Sequence, residues 1–211
     1  MNINTFVFNP FYENTFIIWD ENSKEAAIID PGCSDKSEED SLDEFIKKND
    51  LIINYMINTH CHIDHIMGNA YIKEKYTPEF LAPEKDLFLL DNAAAQAENF
   101  GMEIRPSPKP DKYITEQSII KLGSAQGEFL FTPGHTPGEF CLYFPVNKIC
   151  ITGDVLFFEG IGRTDLWGGD YNILSQSIKS RLFTLPDNVT IYPGHGETST
   201  IGHEKSFNPF L

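Results

Sequence analysis

The residues best suited to do chemistry lie in one short stretch, Thr59-His60-Cys61-His62-Ile63-Asp64-His65. Three of the six histidines of the chain fall within it, together with one aspartate. Imidazole nitrogens and carboxylate oxygens are ligands suited to zinc, and iron or manganese also accept them. The stretch therefore predicts a metal site.

The spacing of these four donors does not fit one regular element. In a strand, residues 60, 62 and 64 share a face and residue 65 points away, whereas in a helix 60 pairs with 64 and 62 with 65. We therefore expect a strand that runs into a turn, with the donors divided between two neighbouring metal ions. Cys61 alternates out of the donor pattern, and we interpret it as a core residue or a support for the ligands.

A similar pattern, in which a strand-like run ends in a glycine-rich turn with one donor, recurs at three other places. These are Thr132-Pro133-Gly134-His135, Gly153-Asp154 and Pro193-Gly194-His195. Glycine allows a sharp turn and leaves room for an ion and a substrate. We predict that His135, Asp154 and His195 complete the site, whereas His203 has no such setting and is expected to be an ordinary surface residue.

The segments between these turns predict an α/β protein. Strands are expected at 5–8, 15–19, 26–29, 51–57, 79–82, 119–122, 129–132, 140–144, 149–152 and 189–192, the first three as a meander. Helices are expected at 37–48, from 65 to 75, in two pieces between 83 and 99, and at 173–182. Ser37 is the expected N-cap of the first helix, and Ile173, Ile178 and Leu182 are expected to be buried.

Length and composition narrow the classes of function. The 211 residues, 41% of them hydrophobic, are expected to form a single domain over 1–211. The net charge of −15 argues against nucleic acid as a partner. No signal peptide, membrane-length apolar run or Cys-x-x-Cys pair is present, so we expect a cytoplasmic protein with reduced thiols and no membrane contact. The sequence indicates no oligomeric state.

The histidine motif, Pro-Gly-His-Thr-Pro-Gly, Gly-Asp154 and Tyr-Pro-Gly-His-Gly resemble the motifs of the metallo-β-lactamase superfamily, in the same order along the chain. The resemblance implies a four-layer αββα sandwich with the site at one edge, between two β-sheets. It also implies two sets of metal ligands: His60, His62 and His135 for one ion, and Asp64, His65 and His195 for the other. Asp154 and a water or hydroxide would bridge the two ions.

Within that superfamily the chain is similar to single-domain glyoxalase II-like thioesterases, through Gly160-Ile161-Gly162-Arg163-Thr164-Asp165-Leu166 and the segment 207–211. This implies two divalent ions, zinc first with iron or manganese as alternatives, and hydrolysis of a small acyl thioester such as S-lactoylglutathione by a metal-bridging hydroxide. Asp64 would be the catalytic residue that orients the nucleophile or accepts its proton.

The chain departs from true glyoxalase II enzymes at its end. Those enzymes continue into a helical domain that contacts glutathione, whereas this chain stops sixteen residues after His195. We therefore expect weak saturation with a glutathione thioester and broad tolerance of the thiol part of the substrate.

Several alternatives remain open at this stage. Arg163 could bind a substrate carboxylate, or it could pair with a neighbouring acid and stiffen its loop. A persulfide dioxygenase shares the Gly-Arg-Thr-Asp motif and would use one iron on His60, His135 and Asp154. A lactonase is a further enzymatic alternative, and a non-catalytic metal-binding module is the alternative from another class.

Overall fold

The computed structural model describes residues 1–211 and contains two six-stranded sheets. The first sheet contains β1 (Asn2–Phe8), β2 (Glu13–Trp19), β3 (Glu25–Ile29), β4 (Ile52–Ile57), β5 (Glu79–Pro83) and β6 (Lys112–Ile114), in that order. The second contains β7 (Ile119–Leu122), β8 (Ala125–Phe131), β9 (Phe140–Phe144), β10 (Ile149–Gly153), β13 (Thr190–Pro193) and β14 (Ser199–Thr200), in the spatial order β14-β13-β10-β9-β8-β7. A separate hairpin joins β11 (Leu156–Phe157) to β12 (Gly160–Ile161).

Seven α-helices accompany the sheets. They are α1 (Lys36–Lys48), α2 (Ile63–Ile66), α3 (Asn69–Tyr76), α4 (Leu87–Asp91), α5 (Ala93–Asn99), α6 (Tyr171–Ser177) and α7 (Ile201–Phe207). A 3-10 turn at Glu84–Asp86 precedes α4, and a π-helical turn at Ile178–Leu182 continues α6. None of the helices combines the length and the apolar character needed to cross a membrane.

The three largest apolar cores hold the layers together, and β2 contributes to two of them. Phe16 and Ile18 belong to the core between the two sheets, whereas Ile17 and Trp19 face the helices that cover the first sheet. A third core lies on the outer face of the second sheet, where Leu174 of α6 packs against it. Because both faces of β2 are buried, its second half, Phe16 to Trp19, is a continuous apolar run. The predicted four-layer αββα sandwich is confirmed.

The first helix begins at a different cap from the one expected. Asp35, not Ser37, is the N-cap of α1, and its carboxylate accepts hydrogen bonds from the backbone N–H groups of Ser37 (2.8 Å) and Glu38 (3.0 Å). The extended backbone of Asp35 aims its side chain at these otherwise unpaired donors. The predicted cap at Ser37 was therefore wrong by two positions.

The helix expected from 65 to 75 is two helices. Helix α2 begins at Ile63, so Asp64 and His65 are helical, and Gly68 separates it from α3. The N–H of Gly68 donates to the carbonyl of Pro31 at 2.7 Å, and a Cβ at this position would lie 2.8 Å from the same oxygen. This close approach of two backbones requires glycine and redirects the chain.

The burial expected for Ile173 was also wrong. Ile178 and Leu182 are fully buried as predicted, but Ile173 is 49% exposed and Leu174 is buried in its place. Leu174, Ile178 and Leu182 lie four residues apart, and the π-helical turn widens the spiral so that this spacing stays on one face.

Candidate metal centre

The four predicted turns meet at one edge of the sandwich. Strands β8 and β10 are both antiparallel to β9, and β10 is parallel to β13, so their carboxyl ends point to the same edge. His135, Asp154 and His195 follow these three ends. The loop after β4 joins them from the other sheet, where the carbonyl of Thr59 accepts the N–H of Phe140 at 3.0 Å.

The two sheets are fastened together beside the site by Asn14 at the start of β2. Its side-chain amide donates to the carbonyls of Pro193 and Gly196, both at 2.9 Å. Its backbone N–H donates to the carbonyl of Gly194 at 2.7 Å. These three hydrogen bonds fix the turn that carries His195 against the first sheet.

The first donor group consists of His60, His62 and His135. Their candidate ligand atoms all lie within 4.8 Å of one another, and all three residues are buried. Nδ1 of His62 and Nε2 of His135 are 2.8 Å apart. This separation places two nitrogen lone pairs where one ion could accept both.

The second donor group consists of Asp64, His65 and His195. Asp64 Oδ2 lies 3.1 Å from His195 Nε2 and 3.6 Å from His65 Nε2. Asp64 and His65 lie in α2, two and three residues beyond His62, which is the N-cap of that helix. The division of the seven-residue stretch into two donor sets stays a prediction that these distances permit, since Asp30, His60 and His65 form a third, overlapping group within the same 4.8 Å.

Asp154 lies between the two groups. Its Oδ1 is 3.4 Å from His65 Nε2, and its Oδ2 is 3.5 Å from His135 Nε2 and 3.7 Å from His195 Nε2. The structure thus brings together all seven residues singled out in the sequence.

Three buried acids support these residues and were not recognised in the sequence. Asp30 accepts hydrogen bonds from the backbone N–H (2.7 Å) and hydroxyl (2.6 Å) of Thr59 and lies 3.2 Å from His65 Nδ1. Glu13 lies 3.9 Å from the same nitrogen, and Glu139 accepts the N–H of Asp154 at 2.7 Å. Asp30-Pro31-Gly32 does carry the strand-then-glycine signal, but Glu13 and Glu139 stand outside any such motif.

The electrostatics of the two groups differ. Burial lowers the pKa of His60 and His135, and it lowers that of His62 to about 3, so these rings are neutral with free lone pairs. Burial also opposes a charge on His65 and His195, but the carboxylates beside them outweigh it and raise the pKa of both rings. Without a metal, the second group therefore binds protons more readily than the first.

The donor set fits metal ions by two independent observations. His60 Nε2, His65 Nε2 and Asp154 Oδ1 are buried without any hydrogen-bond partner, and each such atom costs about 1–3 kcal/mol unless something satisfies it. Glycines also clear the space around them. A Cβ at Gly194 would lie 2.7 Å from His65 Cε1, and one at Gly153 (φ +49°) would lie 2.6 Å from Thr59 Oγ1.

A cavity of about 380 Å³ opens onto the donors. Half of its lining residues are hydrophobic, among them Phe11, Phe157 and Trp167. Arg163 also lines it, and its guanidinium makes two hydrogen bonds of 2.7 Å with Asp165. Of the two alternatives for Arg163, pairing with a neighbouring acid is therefore present in the structure.

Two other residues lie outside the donor groups. Cys61 is fully buried in the core beneath the helices, as interpreted from its alternation. His203 is half-buried rather than an ordinary surface residue. Its Nε2 lies 3.1 Å from Glu159 Oε1, and its ring stacks on Phe158.

A profile of the Metallo-beta-lactamase superfamily matches residues 8–195, which carry the whole donor set. The chain belongs to this superfamily. Among curated relatives, it is 40% identical to the hydroxyacylglutathione hydrolase GloC of Haemophilus influenzae, over 100% of this chain and 98% of that protein. It is also 34% identical to the mitochondrial persulfide dioxygenase ETHE1 of Mus musculus, over 93% of this chain and 70% of that protein.

Two crystal structures share the fold over nearly the full length of both chains. The BLEG-1 B3 metallo-β-lactamase superposes with a TM-score of 0.91 at 30% identity, covering 100% of this chain and 99% of that one. The TTHA1623 protein in a di-iron-bound form superposes with a TM-score of 0.87 at 32% identity, covering 99% of this chain and 100% of that one.

Proposed function

We propose that this protein is a dinuclear metallohydrolase that cleaves a small acyl thioester such as S-lactoylglutathione. The observation that carries the proposal is a second complete donor group, Asp64, His65 and His195, beside the first, with Asp154 within 4 Å of both. Two ions so held would supply an activated water and an electrophile for the thioester carbonyl.

Asp64 is the proposed catalytic residue. Its side chain lines the cavity, and its carboxylate oxygen Oδ2 lies 3.1 Å from His195 Nε2, close enough for an ion pair. Burial opposes its ionisation, but His65 and His195 together lower its pKa, so the group is a carboxylate at neutral pH. A carboxylate in this place can orient the attacking water and accept its proton.

The cavity and the leaving group account for the rest of the reaction. The apolar wall of Phe11, Phe157 and Trp167 keeps bulk water away from the bound ester. Hydrolysis breaks the carbon–sulfur bond and yields a carboxylic acid and a thiol. Because a thiol has a pKa of about 8.5, the thiolate can leave without a strong acid to protonate it.

The identity of the metal remains part of the proposal. A set of imidazole and carboxylate donors suits zinc, and the di-iron-bound relative supports iron as the main alternative, with manganese also compatible.

The relatives support the hydrolase over the dioxygenase. The match to the hydroxyacylglutathione hydrolase covers 98% of that protein, whereas the match to the persulfide dioxygenase covers 70%. A mononuclear-iron persulfide dioxygenase, on His60, His135 and Asp154, is the second candidate because a relative of that name is 34% identical. His62 Nδ1, only 2.8 Å from His135 Nε2, favours a larger donor set than those three residues.

The test joins metal content to turnover. We expect close to two divalent ions per chain by elemental analysis, and loss of thioester absorbance with metal-replete protein across several small thioesters. Asp64→Asn should abolish most of that activity, and His203→Ala serves as the matched histidine control. One iron per chain, no hydrolysis above the Asp64→Asn control, and oxygen consumption with glutathione persulfide would replace the hydrolase with the dioxygenase.

A further inference from the structure

A second cavity, of about 310 Å³, lies directly beside the metal cavity. Gln96 and Trp167 line both cavities and so form the wall between them. Anything that extends out of the metal cavity past these two side chains enters the second one. We call this second cavity the carboxamide groove.

One face of α4 and α5 forms the floor of the carboxamide groove. Phe88, Asn92, Gln96 and Asn99 follow one another at intervals of four, four and three residues, which places them on one side of the helical segment. Asn92 and Asn99 are exposed, and the side chain of Asn99 makes no hydrogen bond within the protein. Nδ2 of Asn92 donates to the carbonyl of Phe88 at 2.6 Å, so Asn99 is the residue of the floor whose whole amide group is free to bind a ligand.

Gln96 is the buried member of this row, with only 3% of its surface exposed. Its side-chain nitrogen donates to the carbonyls of Cys61 (3.2 Å) and Leu89 (2.7 Å), so both amide hydrogens are engaged. Its carbonyl oxygen, Oε1, is consequently fixed in orientation, and it has no partner. A buried acceptor without a donor is costly, and a donor brought by a ligand would satisfy it.

The lining of the carboxamide groove selects the chemistry of its occupant. Asparagine and glutamine side chains supply both donors and acceptors, which complement a peptide-like amide. Phe88 and Trp167 supply aromatic surface, and no charged residue lines the groove. The net charge of −15 further disfavours a phosphorylated carrier.

We propose that the carboxamide groove binds an uncharged segment of the thiol carrier, one that lies next to the sulfur and contains a secondary amide, while the acyl carbonyl lies at the metal centre. This proposal rests on the thioesterase function and names the part of the substrate that the enzyme recognises. Gln96 and Trp167 would contact the carrier where it leaves the metal cavity, and Asn99 would hydrogen-bond its amide.

The experiment measures binding, so that it does not depend on turnover. The probe is a non-hydrolysable thioether, S-ethyl-N-acetylcysteamine, compared with an alkyl thioether of equal length that lacks the amide. Trp167 reports binding by fluorescence, because the only other tryptophan, Trp19, is buried in the core. The change in signal should disappear in Trp167→Phe.

We expect the amide probe to bind more tightly than the alkyl probe, and Asn99→Ala to weaken the amide probe about fivefold, as loss of one neutral hydrogen bond predicts. The alkyl probe should bind Asn99→Ala and the parent protein equally. Gln126→Ala, an exposed carboxamide on β8, is the matched control and should change neither.

Equal affinity for the two probes would overturn the proposal that the carboxamide groove binds an amide. An unchanged affinity of the amide probe for Asn99→Ala would overturn it as well. Tighter binding of a coenzyme A thioether than of the corresponding pantetheine thioether, which lacks the phosphates, would overturn the preference for an uncharged segment. Selective binding of the amide probe without hydrolysis of any thioester would instead retain the carboxamide groove and reject the thioesterase function.

Discussion

The buried side chain of Glu139 connects two of the proposed metal ligands. Its Oε1 lies 3.4 Å from His60 Nδ1 and accepts the backbone N–H of Asp154 at 2.7 Å. Outer residues of this kind fix the orientation of a ligand ring and often matter nearly as much as the ligand itself. Glu139 thereby holds a histidine of one donor group and the aspartate shared by both.

Two substitutions of Glu139 should distinguish the contribution of its hydrogen bonds to metal binding from that of its charge. Burial raises the pKa of Glu139 well above its ordinary value and so favours the neutral acid. Glu139→Gln keeps the shape and the acceptor and should change metal affinity by no more than about threefold, whereas Glu139→Ala should weaken it about 10–100-fold. Competition with a chromogenic chelator measures both. A glutamine variant as weak as the alanine variant would show that the carboxylate charge is required.

Acidification should remove the two metals in a fixed order. The raised pKa values of His65 and His195 mean that protons compete with the second metal as the pH falls, whereas the lowered values of His60 and His62 leave the first group neutral to much lower pH. Equilibrium dialysis at stepwise lower pH, followed by elemental analysis, should show a plateau near one ion per chain. Simultaneous loss of both ions would contradict this order.

Substitution of single histidines should affect different metals. His135→Ala should weaken the first metal and His195→Ala the second, because each ring belongs to one donor group. His203→Ala should leave metal content and hydrolytic rate unchanged, since its ring contacts Glu159 and Phe158 instead. Metal titration by calorimetry distinguishes these cases. A His203 variant that loses metal would show that His203 contributes to the metal site.

The N-cap of α1 can be tested by stability alone. Asp35→Ala should lower the free energy of unfolding by about 1 kcal/mol, a fall of roughly 2–4 °C in Tm for a chain of this size. Ser37→Ala should have little effect, because the hydroxyl of Ser37 caps nothing. Thermal unfolding of both variants decides between the two caps. Equal decreases in Tm would show that Ser37 also caps the helix.

Arg163 provides a test at the mouth of the cavity. Its ion pair with Asp165 is largely exposed, so Arg163→Ala should change stability by less than about 1 kcal/mol. His135 Nδ1 contacts the backbone carbonyl of Arg163 at 2.7 Å, a contact that the substitution leaves intact, so metal content should not change. A higher KM for a thioester with a carboxylate, but not for a neutral one, would show that the guanidinium also binds substrate.

The sequence predicted the position of the donors better than it predicted their supports. His60, His135, Asp154 and His195 each stand where a strand ends, and the order of strands in the chain brings those ends to one edge. Glu139 carries no comparable signal. Its role depends on the contact between its side chain and a residue fifteen positions away, which only the folded chain brings about.

The elements missed in the sequence are those that tertiary contacts stabilise. Strands β11, β12 and β14 have two residues each, too few to show an alternating pattern. Helix α7 has only Ile201 and Glu204 buried, and its amphipathic signal is correspondingly weak. Thr200 is the N-cap of this helix, and its hydroxyl accepts the N–H of His203. The sequence around Thr200 did not indicate this cap.

The hydrogen bonds of Asn14 tie the metal centre to the integrity of the whole sandwich. Because one side chain spans both sheets at the turn that carries His195, neither sheet can separate from the other while the second donor group stays assembled. Metal release during denaturation should therefore coincide with the cooperative loss of both sheets. The release of the bound ions would then report global unfolding of the chain.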